Sequence, residues 1–286
     1  TRSQRCVLFS ETGLAPIRWR RLELQLEYLQ HCLSLPDSHL AHSAAKELVV
    51  LHAAGRKGWM SKLEDDLQAL RVTVPANWDA AAVTHLIARL NTAIHSASAL
   101  EIAESSKLDL LQTRANYRNG DTRRPPAMAF RDYLRVASRE LRVALTKLLL
   151  SDHPLAVERL RWRNGRTYDI PRAMRLCRFC NQDLEDTLHA LFVCRSSDDL
   201  VASRRSFWAR VTHLGGTADL QTLRTMAHSD LFHYLCASET GAEVLGFHAV
   251  QTLAAYSRTP MKIPTKRDVE SHNIDASDVD DDDDTS

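Results

Sequence analysis

The chain has 286 residues, 44% hydrophobic and 26% charged, with a formal net charge of +1. That is ordinary globular composition with enough apolar material for a real core. The apolar runs are short, such as Leu48-Val49-Val50-Leu51 and Leu148-Leu149-Leu150, so no membrane-spanning helix is expected, and no signal-peptide core follows Arg2 and Arg5.

The pattern reads as almost entirely helical. Pro16 stands where a first turn tolerates proline, and Leu22, Leu26, Leu29 and Leu33 then share one helical face until Pro36. A second helix is predicted over "HLAHSAAKELVVLHAA", with Ser38 as N-cap and Gly55 as C-cap, and a shorter one from about Ser61. Beyond the Pro75 break, an Ala-rich helix carries the stripe Val83, Ile87, Leu90, Ile94 and Leu100, and "KLDLLQTRANYR" continues or restarts it up to Asn119-Gly120. "GDTRRPP", ending at Pro126, is the clearest interior break. After it comes a basic amphipathic helix or helix pair, with Phe130, Leu134, Leu141, Leu145 and Leu148 as its apolar side, then a short helix opened by Pro154. Further helices are predicted from Asp198 to Arg258, and period-2 alternation is nearly absent. The expected fold is all-α: a helical bundle followed by a small zinc knuckle inserted among helices. The expected divisions are an N-terminal bundle over 1–119, basic helices with a metal-binding segment (172–196) and C-terminal helices over 127–264, and an acidic disordered tail over 265–286.

The small net charge hides an asymmetry. From Asp268 onward there are nine acids and no Lys or Arg, which leaves 37 basic and 27 acidic residues in 1–267. Between Arg114 and Arg178 alone, 16 basic residues stand against 6 acidic ones, and all but one of the 16 are arginines. Arginine suits bidentate phosphate contacts, and the interleaved Tyr117, Tyr133, Trp162 and Tyr168 could stack on bases. RNA or DNA is therefore the expected partner, with Arg161, Trp162, Arg163, Arg172, Arg175 and Arg178 as the expected contacts. The competing reading is a set of solvated Arg-rich helix faces, some paired to Asp132, Glu140 and Glu158.

The stretch "CRFCNQDLEDTLHALFVC" holds Cys177, Cys180, His189 and Cys194 in the pattern C-x2-C-x8-H-x4-C. A C-x2-C turn offers two thiolates from one tight knuckle, and a His and Cys from a following helical segment complete a tetrahedral set. The competing reading is a chance pair of buried thiols beside an amphipathic helix. Four protein ligands leave no open position for water, so structural Zn²⁺ is expected and catalytic metal is not. A redox role for C-x2-C lacks the βαβ setting it needs. Glu185 and Asp186, between the ligand pairs, are read as solvated or as outer partners of the ligands. Cys6, Cys32 and Cys236 have no partner at ligand spacing and are read as incidental thiols. Without a secretory signal, six cysteines point to a reducing compartment, so an intracellular setting, nuclear or cytoplasmic, is expected.

The detail of this stretch, Glu185 then His189, an apolar triplet and Cys194, resembles the zinc-binding segment behind the polymerase domain in reverse transcriptases of non-LTR retrotransposons. The opening "LFSETGLAPIRWRRLELQLEYL" is similar to the segment after the catalytic core in fungal members of that group, and "YSRTPMKIP" resembles the close of such reading frames. The resemblance covers most of 6–264 and implies a C-terminal, zinc-binding region lacking the polymerase core. Two-metal polymerase chemistry needs an Asp-Asp pair on a hairpin plus a third acid, whereas Asp65-Asp66 and Asp198-Asp199 both lie in helical patterns. No endonuclease or ribonuclease H carboxylate set stands out, so a non-enzymatic role is expected: nucleic-acid contact, or a zinc-stapled helical domain for structure or protein interaction.

Overall fold

The computed structural model describes residues 5–114, 127–214 and 219–277, with side chains as far as His272. The described residues are helical with no strand, apart from two isolated antiparallel bridges, Thr12 to Phe130 and Leu176 to Leu184. They divide into two compact units. The first runs through Ser105 and includes 127–130; the second takes 106–114 and everything described from Arg131 on.

The first unit holds α1 (Arg5–Thr12), α2 (Ile17–Ser34), α3 (Leu40–Ala53), α4 (Trp59–Ala69) and α5 (Ala80–Ala103). Its core joins Leu22, Leu26 and Leu29 of α2, Leu63 and Leu67 of α4, and Val83, Leu86, Leu90 and Ile94 of α5. Cys32 takes the inward place expected of Leu33, and Leu100 of the expected α5 stripe is exposed while Ile102 is buried. Asp79 caps α5 by accepting the Ala82 amide at 2.8 Å. At α3 the cap is His39, whose Nδ1 accepts from Ala41, rather than Ser38. Gly55 follows α3 at φ +75, the left-handed turn only glycine adopts without strain.

The second unit holds α6 (Asp109–Gln112), α7 (Arg139–Leu149), α8 (Ala156–Arg159), α9 (Asp198–Val211), α10 (Leu220–Thr225), α11 (His228–Cys236), α12 (Glu239–Arg258) and α13 (Lys266–Ser277). Helix α12 is the central member, packed on α7, α9 and α11. Its Gly246 admits α7 closely, since a Cβ there would lie 2.9 Å from Leu141 Cβ. The predicted basic helix after Pro126 is shorter than expected. Phe130 is half exposed, a 3-10 turn spans Asp132–Arg135, and α7 starts at Arg139, where the Arg142 guanidinium binds the Val136 and Ala137 carbonyls.

The tail also departs from expectation: residues from 266 to 277 form α13 instead of disorder. Thr265 and Asp268 cap it reciprocally. The Thr265 amide donates to Asp268 Oδ2 at 2.8 Å and the Asp268 amide donates to Thr265 Oγ1 at 3.3 Å. Val269 is buried with Ala156, Leu160 and Ile170, and the Tyr168 hydroxyl donates to the Pro264 carbonyl at 2.8 Å. One buried valine and a cap outweigh the acidic composition. Residues 278–286 of the expected tail lie outside the described residues.

Candidate metal centre

The ligand segment begins as a miniature hairpin. Leu176 bridges Leu184, the Cys177 amide donates to the Asp183 carbonyl at 2.8 Å, and the Asn181 amide returns to the Cys177 carbonyl at 2.8 Å. Asn181 sits at φ +55, a region asparagine tolerates better than most residues, and this closes the turn that brings Cys177 and Cys180 together. Asp186 then accepts the His189 amide at 2.8 Å and starts a π-helical turn, His189–Val193. Its closing bond runs from the Cys194 amide to the His189 carbonyl at 2.9 Å, five residues apart. That wider turn is how the H-x4-C spacing places both side chains at one centre.

The sequence-predicted quartet converges. One ligand atom from each of Cys177, Cys180, His189 and Cys194 lies within 4.8 Å of every other, so the four could hold a metal ion. Cys177 Sγ is 3.7 Å from Cys194 Sγ, and Cys180 Sγ is 3.5 Å from His189 Nε2. Cys177, His189 and Cys194 are buried, and Cys180 is half-buried. Burial pushes the Cys194 thiol up to about 11, with the Cys177 and Cys180 sulfurs adding to it. A bound cation reverses this, because thiols ligate as thiolates.

The groups around the quartet orient it. Asp183 Oδ2 lies 3.5 Å from His189 Nδ1, which favours the tautomer whose Nε2 faces Cys180. The buried Tyr256 hydroxyl of α12 lies 3.4 Å from Cys177 Sγ, and burial raises that phenol far above its usual range, so it stays a donor. From α9, Arg204 donates through Nε to the Leu191 carbonyl at 3.0 Å and through Nη2 to the Cys194 carbonyl at 2.8 Å. From α12, His248 Nε2 reaches the same Leu191 carbonyl at 2.9 Å. A carbonyl only accepts, so Nε2 carries the proton and Nδ1 accepts from Ser203 at 2.8 Å. Burial pushes His248 down to about 4, which keeps it neutral.

Beneath the knuckle, Arg178 and Glu185 form a buried pair. The glutamate accepts from Arg178 Nη2 at 2.6 Å, from the Arg178 amide at 2.7 Å and from the Ala156 amide at 2.7 Å. The guanidinium also reaches the carbonyls of Pro154, Tyr256 and Thr259. This corrects the sequence expectation for Arg178. It is 7% exposed and saturated, and cannot contact a phosphate. Charged residues beside a cysteine turn read as surface in the sequence; here they tie the knuckle to the start of α8 and the end of α12.

The other expected contacts scatter among internal bonds. Arg175 is half-buried on the Val157 and Ile170 carbonyls. Arg161 pairs with the buried Glu158, and Trp162 donates Nε1 to Glu158 at 3.1 Å with Lys107 Nζ 4.8 Å from its ring centroid. Arg163 and Arg172 are exposed, but each holds a carboxylate, Asp169 and Asp109 respectively, at 2.5 Å. Sequence reasoning missed Tyr256, Arg204 and His248, which lie on distant helices with no local motif to mark them.

No family model, no curated protein and no solved structure matches this chain.

Proposed function

We infer that the protein is a non-catalytic, zinc-stapled helical protein in which Zn²⁺ fixes the knuckle and the π-turn to α9 and α12. The observation that carries this is the spacing of the donors. A tetrahedron with zinc–sulfur distances of about 2.3 Å and a zinc–nitrogen distance of about 2.0 Å has S–S edges of about 3.8 Å and S–N edges of about 3.5 Å. The chain presents 3.7 Å and 3.5 Å for the two pairs. Three sulfurs and one imidazole suit zinc better than a hard cation, and a filled quartet leaves no place for a reacting water.

The likeness of Cys177–Cys194 to the segment behind non-LTR reverse-transcriptase polymerases supports placing the chain among such non-catalytic zinc-binding regions. Within that reading, the internal partners of Arg161, Arg163, Arg172, Arg175 and Arg178 favour a structural use of the arginine-rich window over RNA or DNA contact through it.

Metal analysis of the purified protein tests the inference. We expect one equivalent of zinc in the wild-type protein, loss of most of it in Cys177→Ser, and a lowered melting temperature in that variant. A zinc content unchanged by Cys177→Ser, or none in either protein, refutes the inference.

A further inference from the structure

We propose that the groove between the π-turn, α9 and the α10–α11 segment binds single-stranded nucleic acid. This surface lies outside the arginine-rich window, and the inference goes beyond the structural role given to the metal. The groove has a volume of about 690 Å³ and is lined by Arg195, Arg204, Arg205, Arg224, Trp208 and His228, among others, with no acidic side chain in its lining among the described residues. Arg195, Arg205 and Arg224 are exposed and have no carboxylate partner among the described residues, unlike Arg163 and Arg172. Four guanidiniums around an acid-free concavity make a strongly positive site that attracts phosphodiesters, because each phosphate neutralised releases a counterion.

Flat surfaces separate a nucleic acid from other polyanions. Trp208 is half exposed on α9, and the exposed His228 imidazole stacks on Phe192 with ring centroids 5.5 Å apart and planes 23° apart. The Arg224 guanidinium lies over the Trp208 ring, 5.7 Å from its centroid, so a base stacking on the indole would meet ring and guanidinium together, the combination by which single strands are held without sequence reading. A duplex hides its base faces, and an acidic peptide or a lipid headgroup would use the charge and leave the rings idle.

The groove is also built on the metal centre. Phe192 belongs to the π-turn, Arg195 follows Cys194, and Arg204 holds the Cys194 carbonyl. Binding should therefore fall when the metal is removed, whereas metal binding should not depend on the groove's exposed arginines.

Fluorescence anisotropy on the full chain tests this, with labelled oligouridylate and oligothymidylate of about 12 nucleotides and a duplex of equal length at low salt. Both single strands are expected to bind more tightly than the duplex. Arg205→Glu with Arg224→Glu should weaken binding by roughly tenfold or more. The slope of log affinity against log salt should flatten by about 0.7 for each phosphate no longer neutralised. Trp208→Leu should weaken binding by roughly five- to a hundredfold, the usual worth of one stacked base. Arg163→Glu with Arg172→Glu, in the arginine-rich window, should change it little. Far-UV circular dichroism and thermal denaturation establish that each variant folds, and Arg205→Gln with Arg224→Gln replaces the charge reversal if that variant does not. The proposal is overturned if the oligonucleotides do not bind, if the Arg205/Arg224 variants bind as wild type does, or if polyglutamate competes equally and Trp208→Leu has no effect. All three readouts are independent of zinc stoichiometry, so this proposal and the zinc assignment fail separately.

Discussion

His153 and His248 are both nearly inaccessible, and burial pushes each imidazole down to about 4. In the unfolded chain each titrates near 6.5, so the unfolded state binds more protons between those values. The stability they contribute is complete above about pH 6.5 and is lost as pH falls through about 4. The gap between 6.5 and about 4 is worth on the order of 3 kcal/mol for each histidine. Urea midpoints measured at pH 7 and pH 5 should drop accordingly, and His153→Gln should show a visibly smaller drop. Ligand protonation is common to both proteins, so the difference isolates the imidazole. Arg178 behaves differently, because removing it strands a charge. Arg178→Met leaves Glu185 buried without its cation and should cost about 3–5 kcal/mol, read as a lowered denaturation midpoint. The four candidate metal ligands are legible in the sequence because their spacing is local. The Arg178–Glu185 pair is not, since nothing in a loop's sequence says which of its charges will be covered by a helix arriving 78 residues later, at the Tyr256 carbonyl.

At the scale of elements, the long helices with a continuous apolar stripe, α2 and α5, are readable from periodicity, because burial on one face decides where such helices lie. Short elements are less so. The short helix expected after Pro154 is shorter still, since α8 ends after one turn at Arg159. Composition predicts disorder over α13 because it averages over the one inward valine and the Thr265–Asp268 cap that hold the helix. Thr265→Ala should fray α13 at a cost of about 1 kcal/mol, visible as faster amide exchange over 266–272 with little change elsewhere. Gly246 of α12 offers the opposite case. An alanine there gains about 1 kcal/mol of helix propensity but meets Leu141 Cβ at 2.9 Å and the Leu141 carbonyl at 3.3 Å. Overpacking of that kind costs about 1–3 kcal/mol, so Gly246→Ala should be neutral to destabilising in a thermal melt.

At the scale of the whole molecule, the two units have separate cores, and the ligand quartet belongs to the second alone. Adding a chelator should therefore raise amide exchange through the 176–211 region and α12 while leaving α2 and α5 near their original protection. Uniform deprotection of both units would mean that the metal governs the entire fold, contrary to this expectation. Acid should mimic the chelator. With the inferred zinc in the quartet, binding below about pH 11 must displace the Cys194 proton, so apparent affinity should fall at least tenfold for each unit of pH lost, as a competition titration would measure.

The π-turn from His189 to Val193 has one more residue than an ordinary turn, and it is closed by a bond spanning five positions. Removing one residue from such a turn would return it to ordinary α-helical spacing. A chain shortened by one residue here could still present His and Cys from an α-helical turn. It would lose the register that points the Cys194 carbonyl at Arg204 and carries Arg195 to the groove. A chain with H-x3-C in place of H-x4-C would thus keep four candidate ligands while changing the register of everything after Cys194. In a pattern search, the shorter spacing would mark chains that keep the staple and lack the surface built on it.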